Sequence, residues 1–429
     1  MAIRMVTFIG RPQYMRDDQG SGSPPRYRRA TYDFGQGYKS REIPFFGLAL
    51  FEYLKEVGET PKEVVFLGTR GSQWDSLHEL SDDEDEEHLL AGLELGESVR
   101  AGDVSRAQLD DVEAILSEVL EGITVRCQLI DEASEAEGQL DILRTVAQRV
   151  GKSDKIHLDI THGFRHWGPV AMESLLFLRQ VRQITVGGVY YANFAAKNDD
   201  GSAPVVRLKA VETMADWSEA LASFRQTGQL GRLPELFDEN YPEIASPLKT
   251  LRYSLMANRF GHAAHAARQT RASLKKLLED EPSTLASFFA GVLVDELEIF
   301  VRPHIADWQL ELARRSLDSG DYLRSAISAY EAVVSAAISN KDKRHKGWYR
   351  YKATKDTLKS RDDSINPFDD PQSFRNLADL RNSLAHGGEA QNSYFQERLK
   401  NERSLVAFLE ELLEFATDVV GRFKAKPPR

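Results

Sequence analysis

Cysteine is almost absent from this sequence, because Cys127 is the only one among 429 residues. A lone cysteine excludes a disulfide bond within the chain and a metal cage built from several thiolates. It also fits a reducing compartment, so we expect a cytoplasmic protein.

Long apolar runs are absent as well. A membrane-spanning helix needs about 18 to 20 mostly apolar residues in a row, and no such run occurs in the sequence. This argues against a membrane protein. The apolar stretch within residues 1–10 has the length of a strand and is followed by polar sequence, so we expect a first β-strand there rather than a signal peptide.

Positive charge is in short supply overall. Acidic residues number 66 against 55 lysines and arginines, for a formal charge of −11, which argues against nonspecific coating of nucleic acid. The acidic run at residues 82–87 is typical of a solvated loop. Basic residues concentrate at 11–41 and at 341–361, and two basic regions favour two separate anionic ligands.

The first half of the chain alternates short β-branched runs with amphipathic helical patterns. This alternation predicts a Rossmann-like α/β domain with a six-stranded, mainly parallel sheet, whose ligand binds at the carboxyl ends of the strands. The predicted strands are Met5–Ile9, Val64–Leu67, Ile123–Ile130, Lys155–Ile160, Gln183–Tyr191 and Val205–Val211.

After about residue 215 the strand pattern stops, and only amphipathic helical segments follow. We therefore divide the chain into an α/β domain at 1–215, a helical connector at 216–306 and an all-α domain at 307–429.

Two common nucleotide motifs are missing. No Gly-x-Gly-x-x-Gly follows the first strand and no Gly-x4-Gly-Lys-Ser/Thr loop occurs, which disfavours a dinucleotide dehydrogenase and an ATPase. Three loops after predicted strands instead offer glycine amides, hydroxyls and arginines suited to phosphates, with a tryptophan to stack on a base. These candidate residues are Gly10, Arg11, Gly68, Thr69, Arg70, Ser72, Gln73, Trp74, Thr161, His162, Gly163 and Arg165.

A candidate catalytic pair stands late in the chain, where Arg381 and His386 precede the glycines at 387 and 388. Residues five apart on a regular helix point about 140° apart, so the pair shares a face only if the helix ends between them, and we expect the glycine pair to end it. A protonated histidine near a helix C-terminus suits a general acid, and an arginine stabilises a charged phosphorane. Asn382 would orient the motif or a phosphate. Such a pair can cleave RNA without a metal ion.

A basic and aromatic stretch at 341–352 precedes that pair. Cations neutralise phosphates and aromatic rings stack on bases, so this composition predicts single-stranded RNA binding; a solvated surface loop is the alternative. The candidate RNA-binding residues are Arg344, Lys346, Trp348 and Arg350. His262 and His265 could share a helix face, but no third ligand is spaced to complete a metal site, so we expect no metal.

The run from Leu158 to Arg165 resembles the hallmark of the CARF domain of CRISPR-associated ribonucleases, as does the order of strands and loops over 1–215. The Arg-Asn-x3-His motif, together with the segment from Gly320 to Glu331, resembles the HEPN ribonuclease domain. The resemblance implies an accessory RNase of type III CRISPR defence, activated by a cyclic oligoadenylate bound across two CARF domains. Cyclic tetra-adenylate is the first expectation and cyclic hexa-adenylate the second.

The same resemblance implies cleavage of single-stranded RNA to 2′,3′-cyclic phosphate and 5′-hydroxyl ends, at a site where the motifs of two chains meet. A homodimer or a higher even-numbered homo-oligomer is therefore expected. Slow cleavage of the bound activator, assisted by Thr161, His162 or Trp74, is a further hypothesis. Two alternatives stay open: a non-catalytic nucleotide-sensing module that binds RNA or dimerises, and a nucleotide-metabolising Rossmann enzyme.

Overall fold

The computed structural model of the protein describes residues 1–11, 29–78, 80, 86–338, 348–360, 368–387 and 393–425. The chain divides into two units, Met1–Thr213 and Met214–Arg429. The first unit is built on a β-sheet and the second is helical, which confirms an α/β region followed by an α-helical region. The predicted domain boundaries themselves remain predictions.

One eight-stranded sheet organises the first unit, with strand order β3-β2-β8-β7-β6-β1-β4-β5. The five strands from β7 to β5 in that order are parallel to one another, whereas β8 runs antiparallel to β7. The strands are β1 (Ile3–Phe8), β2 (Tyr32–Gly35), β3 (Tyr38–Lys39), β4 (Glu63–Gly68), β5 (Thr124–Leu129), β6 (Lys155–Asp159), β7 (Thr185–Ala192) and β8 (Ala203–Arg207).

Both faces of this sheet are covered. Alternate residues of a strand point to opposite faces, so Met5 packs into one apolar cluster while Val6 packs into another. Side chains of α1 to α4 complete the first cluster, and those of α5 and α6 complete the second. Burial on both sides explains why the central strands are continuous apolar runs rather than alternating ones.

Helices connect the strands of the first unit. α4 begins with a capping box, in which the Ser105 side chain accepts from the backbone of Gln108 and the Gln108 side chain accepts from the Ser105 backbone. The helices are α1 (Phe46–Glu56), α2 (Asp75–His78), α3 (Glu86–Ala101), α4 (Arg106–Val119), α5 (Ala136–Arg149) and α6 (Trp167–Arg182); α7 (Lys209–Thr227) contains the boundary between the units.

The buried side chains of the second unit form two clusters, one drawn mainly from residues 217–300 and one from residues 306–423. Tyr330, at the centre of α13, is fully buried in the latter. The helices are α8 (Leu233–Phe237), α9 (Pro242–Met256), α10 (Phe260–Asp280), α11 (Leu285–Glu296), the 3-10 helix η1 (Leu297–Val301), α12 (Ile305–Asp318), α13 (Tyr322–Ile338), α14 (Trp348–Lys359), α15 (Pro371–His386), α16 (Ser393–Leu399) and α17 (Glu402–Ala425).

The prediction of six strands was wrong, because the sheet has eight. The two missed strands, β2 and β3, have four and two residues and lie at the sheet edge, too short to show a period of two. The last predicted strand, 205–211, also extended too far: β8 ends at Arg207, and α7 begins at Lys209.

The acidic run at 82–87 was predicted to be a loop, yet Glu86 and Glu87 form the first turn of α3. Carboxylates are favoured there because the N-terminal end of a helix carries partial positive charge. Residues 82–85 lie outside the described residues. Among the helices that the structure describes, none has the length and apolar character needed to span a membrane.

Candidate functional site

The sheet topology selects one edge for ligand binding. After β1 the chain forms β2 and β3 at the far edge of the sheet and then enters β4 beside β1. From β5 it returns to β6 on the other side of β1. In open α/β sheets, ligands bind outside the carboxyl ends of the strands at such a reversal. The loops that follow β1, β4 and β6 therefore converge on the first candidate site, which we call the switch-point edge.

A buried carboxylate, Asp159, ties that edge together. It is fully buried at the end of β6, and it accepts hydrogen bonds from the Thr7 hydroxyl of β1 at 2.6 Å and from the Thr161 backbone amide at 2.7 Å. The Thr161 hydroxyl in turn accepts from the Ala192 amide of β7 at 2.9 Å. Burial raises the pKa of Asp159 to about 6, against the opposing effect of its hydrogen bonds.

His162 and Gly163 follow at the tip of this loop. The His162 ring stacks on Phe45 at a centroid distance of 4.9 Å, and burial lowers the pKa of His162 to about 3. The imidazole is thus neutral at physiological pH, and its contact with a phosphate would be a hydrogen bond rather than an ion pair. Gly163 has φ +95°, and an added Cβ would lie 2.6 Å from the Trp167 ring, so only glycine fits there.

The loop after β4 is more buried than the sequence indicated. Trp74 is fully buried with its ring packed over Gly68, and its indole N–H donates to the Thr69 carbonyl at 2.8 Å. The expectation that Trp74 stacks on a base is not met, because the large apolar ring gains more from the core than from the edge. The Ser72 hydroxyl is likewise internal and donates to the Ile9 carbonyl at 3.0 Å.

The arginines of the three loops are exposed. Arg11 forms an ion pair with Glu132 at 2.5 Å and lies 5.5 Å from the centre of the Phe164 ring, whereas Arg70 donates to the Val104 carbonyl at 2.7 Å. Arg165 is also exposed. An anion at the edge would therefore meet solvent-exposed guanidinium groups, of which those of Arg11 and Arg70 already have protein partners.

The predicted activator residues thus separate into two groups by exposure. The exposed or partly buried ones are Gly10, Arg11, Arg70, Thr161, His162, Gly163 and Arg165. The buried ones are Gly68, Thr69, Ser72, Gln73 and Trp74. The second group contributes to the shape of the loop, as when the backbone amide of Gln73 donates to the Gly10 carbonyl at 3.0 Å. Contact of these residues with an activator remains a prediction.

The second candidate site is the end of α15, which carries Arg381, Asn382 and His386. We expected the helix to end between Arg381 and His386, and this prediction was wrong. The helix runs unbroken to His386 and is closed by Gly387, which has φ +60° and whose amide donates to the Ser383 carbonyl at 3.0 Å. The two residues of the pair therefore point about 140° apart and do not share a face.

Arg381 faces the helical core, whereas His386 is exposed at the helix terminus. The guanidinium carbon of Arg381 lies 4.5 Å from the centre of the Tyr330 ring, a cation–π distance. The same guanidinium donates to the Asn382 side-chain oxygen at 2.7 Å. Asn382 is thus a hydrogen-bond partner of Arg381, and its role in the motif remains a prediction.

A polar cluster surrounds Arg381. The Tyr351 hydroxyl donates to the Glu331 carboxylate at 2.7 Å. Burial raises the pKa of Glu331, while Tyr351 and the charge of Arg381 oppose the rise. Burial also lowers the pKa of Lys359, helped by the charges of Lys355 and Arg381. Several ionisable groups therefore lie within electrostatic reach of the arginine.

The structure describes two of the four candidate RNA-binding residues. Arg344 and Lys346 lie outside the described residues. Trp348 and Arg350 lie in the first turn of α14, so the basic stretch continues into a helix. The RNA-binding role of all four residues remains a prediction.

No individual role was predicted for Asp159, Tyr330, Glu331 or Tyr351, although they lie within the stretches 158–165, 320–331 and 341–352. A signal existed for Asp159, since a carboxylate at the end of an apolar parallel strand is buried and needs donors. The other three come from α13 and α14 and meet Arg381 only through helix packing. Among the described residues, no group of three or more metal-binding side chains occurs, and His262 and His265 are both exposed on α10.

The topology and the converging loops define the first unit as a Rossmann-type ligand-binding domain. Residues 5–195 match the family model of the CARF domain of the CRISPR system endoribonuclease Csx1. A CRISPR-associated protein of Methanocaldococcus jannaschii is 24% identical over 331 residues, and the match covers 72% of this chain. It covers 50% of the relative, so this chain spans about half of that protein's length.

Among solved structures, Csm6 of Enterococcus italicus bound to cyclic hexa-2′-fluoro-hexa-dAMP matches 99% of this chain and 98% of that chain, with a TM-score of 0.35 and 14% sequence identity. The family-model match lies within the first unit, which is therefore similar to CARF domains, and the chain is similar to a CRISPR-associated protein over most of its length.

Proposed function

We propose that this protein is an endoribonuclease that is switched on by a cyclic oligoadenylate, with cyclic tetra-adenylate as the first candidate and cyclic hexa-adenylate as the second. One observation carries the proposal. The same chain joins a CARF domain to a helical unit in which α15 presents Arg381 and, at its C-terminus, the exposed His386.

The switch-point edge offers groups that can bind the phosphodiesters of a cyclic oligoadenylate. Arg11, Arg70 and Arg165 are exposed cations there, and Gly163, with φ +95° and no side chain, would let a phosphate approach the backbone amides of its loop. The network from Asp159 holds Thr161 at the same edge. A cyclic ligand with internal symmetry would bind across two copies of this edge, which makes a homodimer or a higher even-numbered homo-oligomer part of the proposal.

The proposed reaction is an internal transesterification of single-stranded RNA. The ribose 2′-hydroxyl gives its proton to a water molecule as its oxygen attacks the adjacent phosphorus, the bond from phosphorus to the 5′-oxygen breaks, and a 2′,3′-cyclic phosphate and a 5′-hydroxyl result. His386 donates the proton that the leaving 5′-oxygen takes up. Arg381 stabilises the additional negative charge on the phosphorane oxygens. No metal ion takes part in these steps.

The unbroken course of α15 favours a site shared by two chains. Arg381 and His386 point about 140° apart in one chain, so one phosphate cannot contact both without a second copy. Across a two-fold axis, Arg381 of one chain and the histidine of the other can face the same phosphate. The basic residues Arg344, Lys346 and Arg350 and the aromatic residue Trp348 would bind flanking nucleotides.

The test is RNA cleavage by the purified protein and by His386→Ala, with labelled single-stranded RNA, cyclic tetra-adenylate and EDTA. His265→Ala is the matched control, because His265 is also exposed on a helix. We expect cuts with cyclic phosphate ends, identified by mass spectrometry, from the wild type and the control only. Cleavage that persists in His386→Ala, or that needs Mg²⁺, would contradict the assignment.

Two other outcomes identify the rivals. RNA that is bound but remains intact in the presence of activator supports a non-catalytic sensing module that binds RNA or dimerises. Turnover of a mononucleotide without RNA cleavage supports a nucleotide-metabolising Rossmann enzyme. Slow loss of the cyclic tetra-adenylate itself, abolished by substitution of Thr161 or His162, would add activator degradation to the function.

A further inference from the structure

An aromatic ring is exposed at the switch-point edge. β7 runs parallel to β6, so the carboxyl end of β7, at Ala192, lies at the same edge as the loop that follows β6. Phe194 comes just after this strand end and keeps 38% of its surface exposed. Among the described residues of the loops that follow β1, β4, β6 and β7, no other large apolar side chain is this exposed.

The loop after β7 is joined directly to the loop that carries Thr161 and His162. The Ala192 amide donates to the Thr161 hydroxyl at 2.9 Å. The centre of the Phe194 ring lies 6.2 Å from that of the His162 ring. It lies 5.8 Å from the centre of the Tyr32 ring, at an interplanar angle of 77°. Tyr32 is fully buried, so Phe194 rests on a rigid support while part of its surface stays open to solvent.

The backbone on both sides of Phe194 is also held in place. The Asn193 amide donates to the Pro204 carbonyl of β8 at 2.9 Å. The Asn193 side-chain oxygen accepts from the Ala195 amide at 3.2 Å. A ring that is already fixed loses little conformational freedom when a ligand packs on it. Phe194 is therefore suited to contact a flat ligand group.

A nucleotide makes two different demands on such an edge. Its phosphates need cations or backbone amides, which the exposed arginines and the Gly163 loop supply. Its base needs a flat apolar surface, because aromatic side chains bind bases by stacking. Trp74 cannot supply this surface, since its ring is buried over Gly68. Phe194 can, because it combines exposure, a fixed ring and contact with the His162 loop.

We propose that Phe194 is the base-stacking residue of the activator site, and that an adenine of the cyclic oligoadenylate packs on its exposed surface. The inference rests on the proposed function and adds to it the group that contacts the base. In a ligand bound across two copies of the edge, each copy contributes one Phe194 ring, so two adenines are stacked.

Calorimetric titration with cyclic tetra-adenylate compares the wild type with Phe194→Ala, Phe194→Leu and Phe194→Trp. Stacking of one base on one aromatic side chain contributes roughly fivefold to 150-fold in affinity. We expect Kd to rise about tenfold or more in Phe194→Ala, and nearly as much in Phe194→Leu, which keeps the apolar bulk but not the flat ring. Phe194→Trp should stay close to the wild type. Phe288→Ala, which removes an exposed phenylalanine of α11, is the matched control and should leave Kd unchanged.

A second measurement detects the contact itself. In Phe194→Trp, an adenine stacked on the introduced indole should quench its fluorescence as cyclic tetra-adenylate is added, beyond any change in the wild type, where Trp74 and Trp167 are buried. A Kd that is the same in the wild type and in Phe194→Ala, or the absence of extra quenching, overturns the stacking role.

Two further outcomes are informative. Loss of the dimer in Phe194→Ala, seen by native mass spectrometry, would make the ring a contact between copies of the chain and also overturns the stacking role. A wild type that binds neither cyclic tetra-adenylate nor cyclic hexa-adenylate overturns the proposed function itself, and the stacking role with it.

Discussion

Single residues hold the switch-point edge together, and Asp159 is the buried carboxylate at its centre. Its carboxylate joins β1, β6 and the loop that carries Thr161 and His162. A buried carboxylate is costly in its charged form, which is why its pKa rises to about 6. The loop is thus held by a group that is charged at neutral pH at the expense of folding stability.

This cost predicts how stability depends on pH. The carboxyl group binds its proton more tightly in the folded state, at a pKa of about 6 against an ordinary 3.8. Its favourable contribution to the free energy of unfolding is therefore complete below pH 3.8. As the pH rises to about 6, this contribution falls by about 3 kcal/mol. The free energy of unfolding of Asp159→Asn should therefore rise by that amount relative to the wild type over the same pH interval.

Hydrogen exchange of the β1 and β6 amides, corrected for intrinsic rates, measures this difference at a series of pH values. Groups that titrate equally in both proteins, such as His157 and His162, cancel in the subtraction. Asp103→Asn, at an exposed position, is the control. The dependence of its free energy of unfolding on pH should parallel that of the wild type. Parallel curves for Asp159→Asn as well would refute the assignment of this pH dependence to Asp159.

A second residue-level prediction concerns Gly163. In Gly163→Ala the methyl group would lie 2.6 Å from the Trp167 ring, at a φ of +95° that alanine rarely adopts. The loop must shift, at a strain of about 1–3 kcal/mol, and we expect the Kd for cyclic tetra-adenylate to rise about tenfold or more by calorimetry. Gly201→Ala is the control, because Gly201 has φ +81° with nothing within 4 Å of the added methyl. Equal effects of the two substitutions would contradict a steric role of Gly163.

Sequence reasoning found the loops at this edge but not the direction of each side chain. Glycines and hydroxyls after strands are visible in a sequence, and Thr161, His162 and Gly163 do lie at the edge. Whether Trp74 faces the ligand or the core depends on the space above Gly68, which only the packed sheet defines. The arginine pocket was equally hidden, since Tyr330 and Arg381 are 51 residues apart and meet through helix packing.

Helix α15 is the element that decides the geometry of the catalytic pair. The glycine signal at 387 correctly predicted a helix end, but that end falls after His386 rather than between the two residues. A pattern of residue types fixes such a boundary only to within a few residues. Here a few residues decide whether Arg381 and His386 share a face, so the sequence could not settle it.

The cap of α15 gives a prediction with a built-in contrast. Gly387 has φ +60°, so Gly387→Ala should destabilise the second unit by about 1 kcal/mol and loosen the turn that carries His386. Gly421 lies within α17 with nothing within 4 Å of an added Cβ, and Gly421→Ala should stabilise by up to about 1 kcal/mol. Urea unfolding followed by circular dichroism, which is dominated by helices, measures both. If both substitutions changed the free energy of unfolding in the same direction, the role of Gly387 as a left-handed cap would be contradicted.

At the scale of the whole molecule, the two units carry two different kinds of site. The first unit offers exposed cations on a rigid sheet edge, and the second offers an arginine held in the core and a histidine exposed at a helix end. Under the proposed function, neither Arg381 nor His386 of one chain acts alone on a phosphate, because the unbroken helix points them in different directions. The proposal therefore requires a second copy of the chain.

Mixing two inactive variants tests this directly. In a dimer of one Arg381→Ala chain and one His386→Ala chain, the first still supplies a histidine and the second still supplies an arginine. If each site draws its arginine from one chain and its histidine from the other, this heterodimer retains one of two sites. Random exchange makes half of the dimers heterodimers, so the mixture should recover about a quarter of wild-type cleavage.

Each variant mixed with itself is the control and should stay inactive at the same total concentration. If both members of a site came from one chain, the heterodimer would contain no complete site, and the mixture would be as inactive as its components. Native mass spectrometry monitors the exchange of subunits between the dimers. If cleavage recovers only as heterodimers form, the recovered activity belongs to the heterodimer. It would also explain how α15 can keep Arg381 packed on Tyr330 while His386 serves the neighbouring chain.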